Sequence, residues 1–349
     1  MRYRLHIFFF SALLCFISPF ILCGQDSTHV ITVKDITPKK KQKIKFDGKF
    51  TFAPHFSNEM GVGIAMSYEC AHPLTFIGNF TSKGYMLLGA SGNTLSRNKK
   101  WQYSYRAFYN YAPSYFWGIG YEAGNIYSNR TGYDLKKLLI GLEMKYRFSS
   151  RFSLGPALGY QWVKWDKFEG SAPIASLLDY GIAATFSTRD NASNPSRGIY
   201  ANFRQKNYSN LSGSTSFQFD FYTGLWEGGI MAFDFYSIFS YGNLPVTLLP
   251  SIGGTERMRG YYYGRYRDNN IVSAQVELRQ HVWEMIGCSA WIGGANLWGC
   301  ESHFKIRHTL PNCGLGLRCS VTEKLRFRFD WGFGKNGQNA FIISINEAF

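Results

Sequence analysis

Beyond residues 5–22 the chain has no long apolar run, so no second segment could cross a membrane as a helix of about 20 apolar residues. Mean hydropathy is correspondingly low, at -0.19. Apolar residues at helical spacing, the pattern that would lay helices over a sheet, are missing as well. Catalytic signatures are absent too. There is no Gly-x-Ser-x-Gly elbow, no His-Glu-x-x-His and no Cys/His cluster at zinc spacing, so neither an enzyme nor a cofactor is expected. His303 and His308 share one loop with Glu301 and read as plain surface residues, and His281 reads as part of a polar wall with Glu277 and Arg279. The formal charge of +15 is dispersed and no reading motif accompanies it, which argues against nucleic acid as a partner. Cysteine is scarce. Two of the seven fall in the first 24 residues, leaving Cys70, Cys288, Cys300, Cys313 and Cys319. That usage is compatible with an oxidising compartment, and the odd number guarantees a free thiol or an intermolecular bond.

The beginning of the chain reads as an export signal. Arg2 and Arg4 precede an apolar stretch that ends at Leu22-Cys23-Gly24, before the polar Gln25-Asp26-Ser27. The run is long enough to span a bilayer, but Pro19 and the abrupt polar switch favour cleavage near Gly24. A lipid attachment at Cys23 would want a small residue before it, and Leu22 is not small. Residues 1–24 are therefore assigned to a signal peptide, and their loss would lower the charge from +15 to +13. Residues 25–58 read as a periplasmic lead-in and 59–349 as the folded domain, with 46–56, which alternates weakly, either lead-in or part of the first strand. The run Lys39–Lys45 is a solvated tail, or the sharper alternative, a contact for anionic lipid or a partner.

What the chain has in abundance is aromatic residues. They make up 18%, with 30 Phe and 23 Tyr, beside 36 Gly. A wall that faces lipid on one side and water on the other tolerates so many exposed rings. Strict alternation supports such a wall. Leu325, Phe327, Phe329, Trp331 and Phe333 alternate with Arg326, Arg328, Asp330 and Gly332, and Leu138 to Phe148 alternate in the same way with Glu143, Lys145 and Arg147. Successive side chains of a strand point to opposite faces, so each segment has one oily and one polar face. Segments of ten residues or more exceed the usual soluble strand, and lipid forbids open edges. The expectation is an all-β, sixteen-stranded antiparallel transmembrane barrel.

Periodicity places the strands at 60–69, 73–82, 85–94, 99–109, 114–123, 135–148, 151–165, 177–189, 198–208, 214–226, 229–241, 270–283, 285–298, 312–321, 323–332 and 339–349. The gaps 124–134, 166–176, 242–269 and 299–311 all follow odd-numbered strands, and most gaps after even-numbered ones are short. Short periplasmic turns and long external loops put both termini in the periplasm. Phe341, Ile343, Ile345 and Phe349 share one face, interrupted by Glu347. The closing aromatic resembles the terminal signal read by the barrel assembly machinery. Register between 285–298 and 312–321 sets Cys300 near Cys313, and Cys288 near Cys319, as candidate disulfides, the first preferred.

Three stretches together resemble the BamA/TamA-type bacterial surface antigen barrels, the family of outer-membrane insertases and two-partner secretion transporters. They are the turn Arg189–Gly198, with Asp190, Pro195 and Gly198; the loop Gly253–Asp268, with Arg259-Gly260-Tyr261; and the strands from Gly314 to Phe349. The resemblance implies that loop 242–269 folds into the barrel and that Arg259 pairs with wall acids, Glu277 first. The family's second acid falls at Gly293, so either the latch is weaker or Asp330 substitutes. A withdrawn guanidinium wants planar carboxylates. The 36 residues between Gly24 and Gly61 are too few for a periplasmic POTRA module. The implied function is outer-membrane protein assembly or translocation, with a passive solute channel or a structural surface barrel as alternatives. Implied partners are outer-membrane lipid and lipopolysaccharide, the assembly machinery during biogenesis, and a periplasmic protein the sequence does not name.

Overall fold

A computed structural model describes residues 48–70, 73–169, 173–299, 303–322 and 325–349. The signal, the Lys39–Lys45 run and Cys300 lie outside the described residues. Sixteen strands close into one antiparallel barrel: β1 (Lys49–Ser57), β2 (Gly61–Glu69), β3 (Thr75–Thr81), β4 (Met86–Leu95), β5 (Trp101–Phe116), β6 (Thr131–Arg147), β7 (Phe152–Asp166), β8 (Ile174–Ser187), β9 (Gly198–Tyr208), β10 (Gly213–Trp226), β11 (Gly229–Tyr241), β14 (Asn270–Trp283), β15 (Ile286–Trp298), β16 (Leu310–Thr322), β17 (Leu325–Gly334) and β18 (Asn339–Ile345). Two short strands inside the loop before β14, β12 (Ser251–Ile252) and β13 (Tyr266–Arg267), pair with each other. Among the described residues, helix is confined to α1 (Tyr121–Asn125) and four three-residue 3-10 turns.

The expected number of strands is right, but two of its members are not. Residues 49–57, read as part of the lead-in, form the first strand, so the barrel starts ten residues before 59. Its alternation is faint because the inward positions Thr51 and Ala53 are small and offer little contrast to Phe50 and Phe52. The expected strand 114–123 does not exist. β5 runs through to Phe116, and Gly118 and Gly120, at φ 101 and 93, then turn the chain out of the wall. These positive φ values suit glycine and break extended structure. The rings that continued the alternating pattern, Trp117 and Tyr121, pack on the loop instead.

Period-2 burial runs around the barrel. On β6 and β7, Ile140, Leu142, Met144 and Leu158 point outward and stay exposed, while Glu143, Lys145 and Gln161 point into the lumen and are buried. Ile292 and Leu315 remain 69% and 65% exposed on the outside. An apolar ring this continuous needs lipid, not water, around it. The lumen is the polar core of the molecule, and Arg259, Glu277, Asp234 and Asp330 are wholly buried there.

Candidate functional site

The lumen is filled by the loop 242–269, which enters from the long-loop end. Its fold follows from five glycines with positive φ, of which Gly260 is the decisive one. At φ 115 an added Cβ would lie 2.7 Å from the Gly332 carbonyl carbon and 2.8 Å from Phe333 N. The loop backbone therefore lies directly on the backbone of β17, a closeness that two facing glycines permit.

This approach delivers Arg259 to the wall. Its Nη2 donates to Glu277 Oε2 at 2.5 Å and its Nη1 to Asp330 Oδ2 at 2.7 Å. The guanidinium stacks 3.6 Å from the Trp291 ring centre, and its carbonyl accepts from the Asn312 amide. The same Asn312 accepts from Trp291 Nε1 at 2.9 Å, so the stacking ring is itself fixed. Each acid is shared. Glu277 Oε1 accepts from Arg279 Nε at 2.9 Å and Arg318 Nη2 at 3.0 Å. Asp330 accepts from Arg318 Nη1 at 2.7 Å and Arg328 Nη1 at 3.1 Å. Charges withdrawn from water persist only when paired and hydrogen-bonded in this way.

Gly293 has no room for the acid expected there. A Cβ would stand 2.6 Å from the Ala274 carbonyl and 2.7 Å from the Gln275 Cβ. Tyr261 completes the motif by donating its hydroxyl to Pro311 O at 2.5 Å and accepting from Lys335 N at 2.8 Å.

A second anchor was not foreseen. Arg257 grips Asp234 with two donors, Nη2 at 2.6 Å and Nε at 2.8 Å, and lies over Tyr236. Gln275 steadies Asp234 at 3.0 Å and also holds the Glu256 carbonyl at 3.2 Å. Alternation places Arg328 and Asp330 on a polar face, but that Arg257 meets Asp234 depends on the loop's path. A cavity of about 150 Å³ remains beside the loop, lined by Trp165, Tyr236, Glu256 and Tyr263 among others.

The tip is capped by other loops. Tyr262 packs on Trp117 and Tyr115, Arg265 Nε donates to Gly124 O at 2.8 Å, and Tyr121 stacks on His308 with ring centres 4.2 Å apart. His308, expected at the surface, is buried by that stack. His281 is exposed where β14 leaves the wall.

Glu59, in the β1–β2 turn, accepts from Tyr263 N at 3.4 Å, and its Oε1 is sealed from solvent. Burial pushes its pKa up to about 8, against the opposing pull of that N–H and of Lys83. The folded state thus keeps a proton that the unfolded chain, at its ordinary 4.5, has lost. The stability this supplies is full below the unfolded value and disappears as pH climbs to about 8. Protease resistance of loop 242–269 should therefore fall between pH 5 and pH 9 in the parent and stay flat in Glu59→Gln. Parallel profiles would sink this assignment.

The turn motif is held by Asp190, whose carboxylate accepts from Asn191 N at 2.8 Å, Ser196 N at 2.9 Å and the Ser196 hydroxyl. Burial works against its ionisation, but the bonds from Ser196, Arg197 and Asn191 prevail and hold its pKa below the ordinary range. Pro195 is buried, and Gly198, at φ 110, approaches the Thr188 carbonyl too closely for any side chain.

Two expectations need correction. Phe349 does not share the outer face with Phe341 and Ile343. The chain turns at Asn346, φ 63, and Phe349 is buried in the lumen against Tyr222 and Ala232. Glu347 on the lipid face would be an unpaired charge, and the turn avoids it. Ile345 is buried as well, at 8% exposure. Cys288 and Cys319 are free thiols, because the register pairs Cys288 with Leu317 and Cys319 with Ile286. Cys313 is also free and points outward opposite Ile292, whereas its proposed partner Cys300 lies outside the described residues.

A closed sixteen-stranded wall, oily outside and plugged by a loop clamped on lumen acids, defines a loop-plugged transmembrane β-barrel. A family model described as the Omp85 superfamily domain matches residues 79–349, and the chain belongs to that superfamily, whose β-barrels are outer-membrane proteins. Among solved structures it is similar to BamA from Haemophilus ducreyi lacking POTRA domains 1–3, at 13% identity and TM-score 0.64, covering 86% of this chain and 70% of that one. It is also similar to CdiB from Acinetobacter baumannii, at 12% identity and TM-score 0.62, covering 86% and 60%. CdiB from Escherichia coli gives 13% identity and TM-score 0.60, covering 85% and 62%. These likenesses are of fold. No curated protein matches the chain.

Proposed function

We propose that this barrel is exported by a cleaved signal to the outer membrane of a Gram-negative bacterium and works there in assembling or translocating other membrane proteins. In this reading both ends of the chain lie in the periplasm, and loop 242–269 enters from outside. Lipopolysaccharide and lipid surround the wall, the barrel assembly machinery inserts it, and a periplasmic protein partners it. It performs no catalysis. One observation carries the reading: β1 meets β18 only at Phe56–Ile343 and Ser57–Ile342, whereas its other edge is paired with β2 along the whole of Lys49–Ser57. A wall whose first and last strands barely pair can part there at small cost, and that suits a protein that hands segments to the bilayer. The passive-channel alternative fits less well, since the loop and its ion pairs occupy the lumen.

The test locks the seam. With native cysteines changed to serine, Phe56→Cys and Ile343→Cys should crosslink, being register partners. In proteoliposomes the reduced barrel should speed the folding of an unfolded outer-membrane barrel, read by heat-modifiable gel shift. The oxidised barrel should lose that acceleration and regain it with reductant. Equal rates in both states, or steady single-channel conductance from the parent, would overturn the reading.

A further inference from the structure

Lining the short-turn end of the lumen is a group of side chains that the latch does not explain. We infer that this floor is a peptide-binding site, recognising a carboxylate followed two residues later by an aromatic ring, and that the chain's own segment Asn346–Phe349 occupies it in cis. Every part of the segment is held. Asn346 N donates to Arg326 O at 2.7 Å, and Glu347 N reaches Ser193 O of the Asp190 turn at 3.4 Å. The Glu347 carboxylate, wholly buried, accepts from Arg326 Nη1 at 2.6 Å and Arg318 Nε at 2.8 Å, with Arg279 Nε at 3.5 Å. Arg279 Nη2 donates to Phe349 O at 3.1 Å and its guanidinium lies 5.1 Å from the Phe349 ring centre. The ring packs with Tyr222 and Ala232. Charge, main chain and ring are all read, with Arg279 touching each of them and Arg318, Arg326, Tyr222 and Ala232 completing the contacts, which makes this a built site and not an incidental fold of the segment.

The register shows what the segment forgoes. Extending the Phe56–Ile343 and Ser57–Ile342 pairing along β1 would set Glu347 opposite Phe52 and Phe349 opposite Phe50. Phe50 and Phe52 face outward, 64% and 55% exposed. Continued in the wall, Glu347 would carry its charge onto the lipid face, which is costly in a transmembrane barrel. Inside, it finds three arginines. The segment therefore has two possible places, and the acid selects the floor. Arg279 and Arg318 also hold Glu277, the latch acid, so occupation of the floor and seating of Arg259 draw on the same guanidinium groups. Such sharing makes the two sites bias each other.

Glu347→Leu removes the carboxylate and leaves the outer face apolar. In a background with native cysteines replaced by serine, Ala348→Cys should form a disulfide with Ala232→Cys when Glu347 is present. In Glu347→Leu it should switch to Thr51→Cys, its register partner in an extended β18. A capped, fluorescein-labelled Asn-Glu-Ala-Phe peptide should then bind the detergent-solubilised Glu347→Leu barrel at least about tenfold more tightly than the parent, whose floor is filled, and Gln in place of Glu in the peptide should weaken that binding by about tenfold or more. If Glu347→Leu fails to assemble, Glu347→Gln, which removes the charge that the three arginines hold and keeps the side chain's size, gives the same comparison. Persistence of the 348–232 disulfide in Glu347→Leu, absence of saturable peptide binding, or equal binding of the Glu and Gln peptides would overturn the assignment.

Discussion

Arg259→Ala should lower the temperature of the heat-modifiable gel shift and expose loop 242–269 to protease. The guanidinium makes two ion pairs with fully buried acids and a stacking contact at 3.6 Å. Removing one partner of a buried pair typically costs about 3–5 kcal/mol, chiefly because the remaining charge loses its counterion. Here Glu277 keeps Arg279 and Arg318, and Asp330 keeps Arg318 and Arg328. The cost should therefore lie near the lower end of that range. The shared network also predicts non-additivity: Arg259→Ala with Glu277→Ala should cost less than the two singles combined, since contacting residues couple. If both singles leave the gel shift and the cleavage pattern unchanged, the latch does not hold the loop.

Gly260→Val should unseat the loop by a different route, without touching a charge. A β-branched side chain at φ 115 is strained, at a cost on the order of 1–3 kcal/mol. Its Cβ would also press into the β17 backbone at Gly332 and Phe333, and overpacking of this kind typically adds about 1–3 kcal/mol more. The neighbour is main chain of a paired strand and cannot swing aside. Arg259 should then lose both carboxylates at once, so Gly260→Val should resemble or exceed Arg259→Ala in protease exposure while the barrel wall stays intact by circular dichroism. Wild-type protection in Gly260→Val would show that the loop does not lie on β17.

Alternation made most of the wall legible before any coordinates, because a strand's side chains must choose between lipid and lumen at every step. Glu277 and Asp330 could be assigned to the lumen on parity, and the Arg-Gly-Tyr motif pointed to the loop cation. The failures share a cause. Where the inward residues are small, as at Thr51 and Ala53, the period fades, and 46–56 reads equally as a lead-in or as part of the first strand. Where aromatics serve a loop, as at Trp117 and Tyr121, the period persists without a strand. Parity also says nothing about where a strand stops, so it sets Phe349 on one face with Phe341 and Ile343, whereas Asn346 turns the chain inward before it.

By itself, the sequence determined the architecture: sixteen two-faced strands can satisfy their backbone groups in lipid only by closing on one another. It also determined that a cation in the loop would need acids on the inner wall. The tertiary structure decided the partners. Bringing Arg259 to Asp330, Arg257 to Asp234 and Glu347 to Arg318 joins residues 71, 23 and 29 positions apart. Such pairings depend on strand register, on where the glycines let backbones touch, and on which charges find company once water is excluded. Those are properties of the closed barrel, and no local pattern along the chain encodes them.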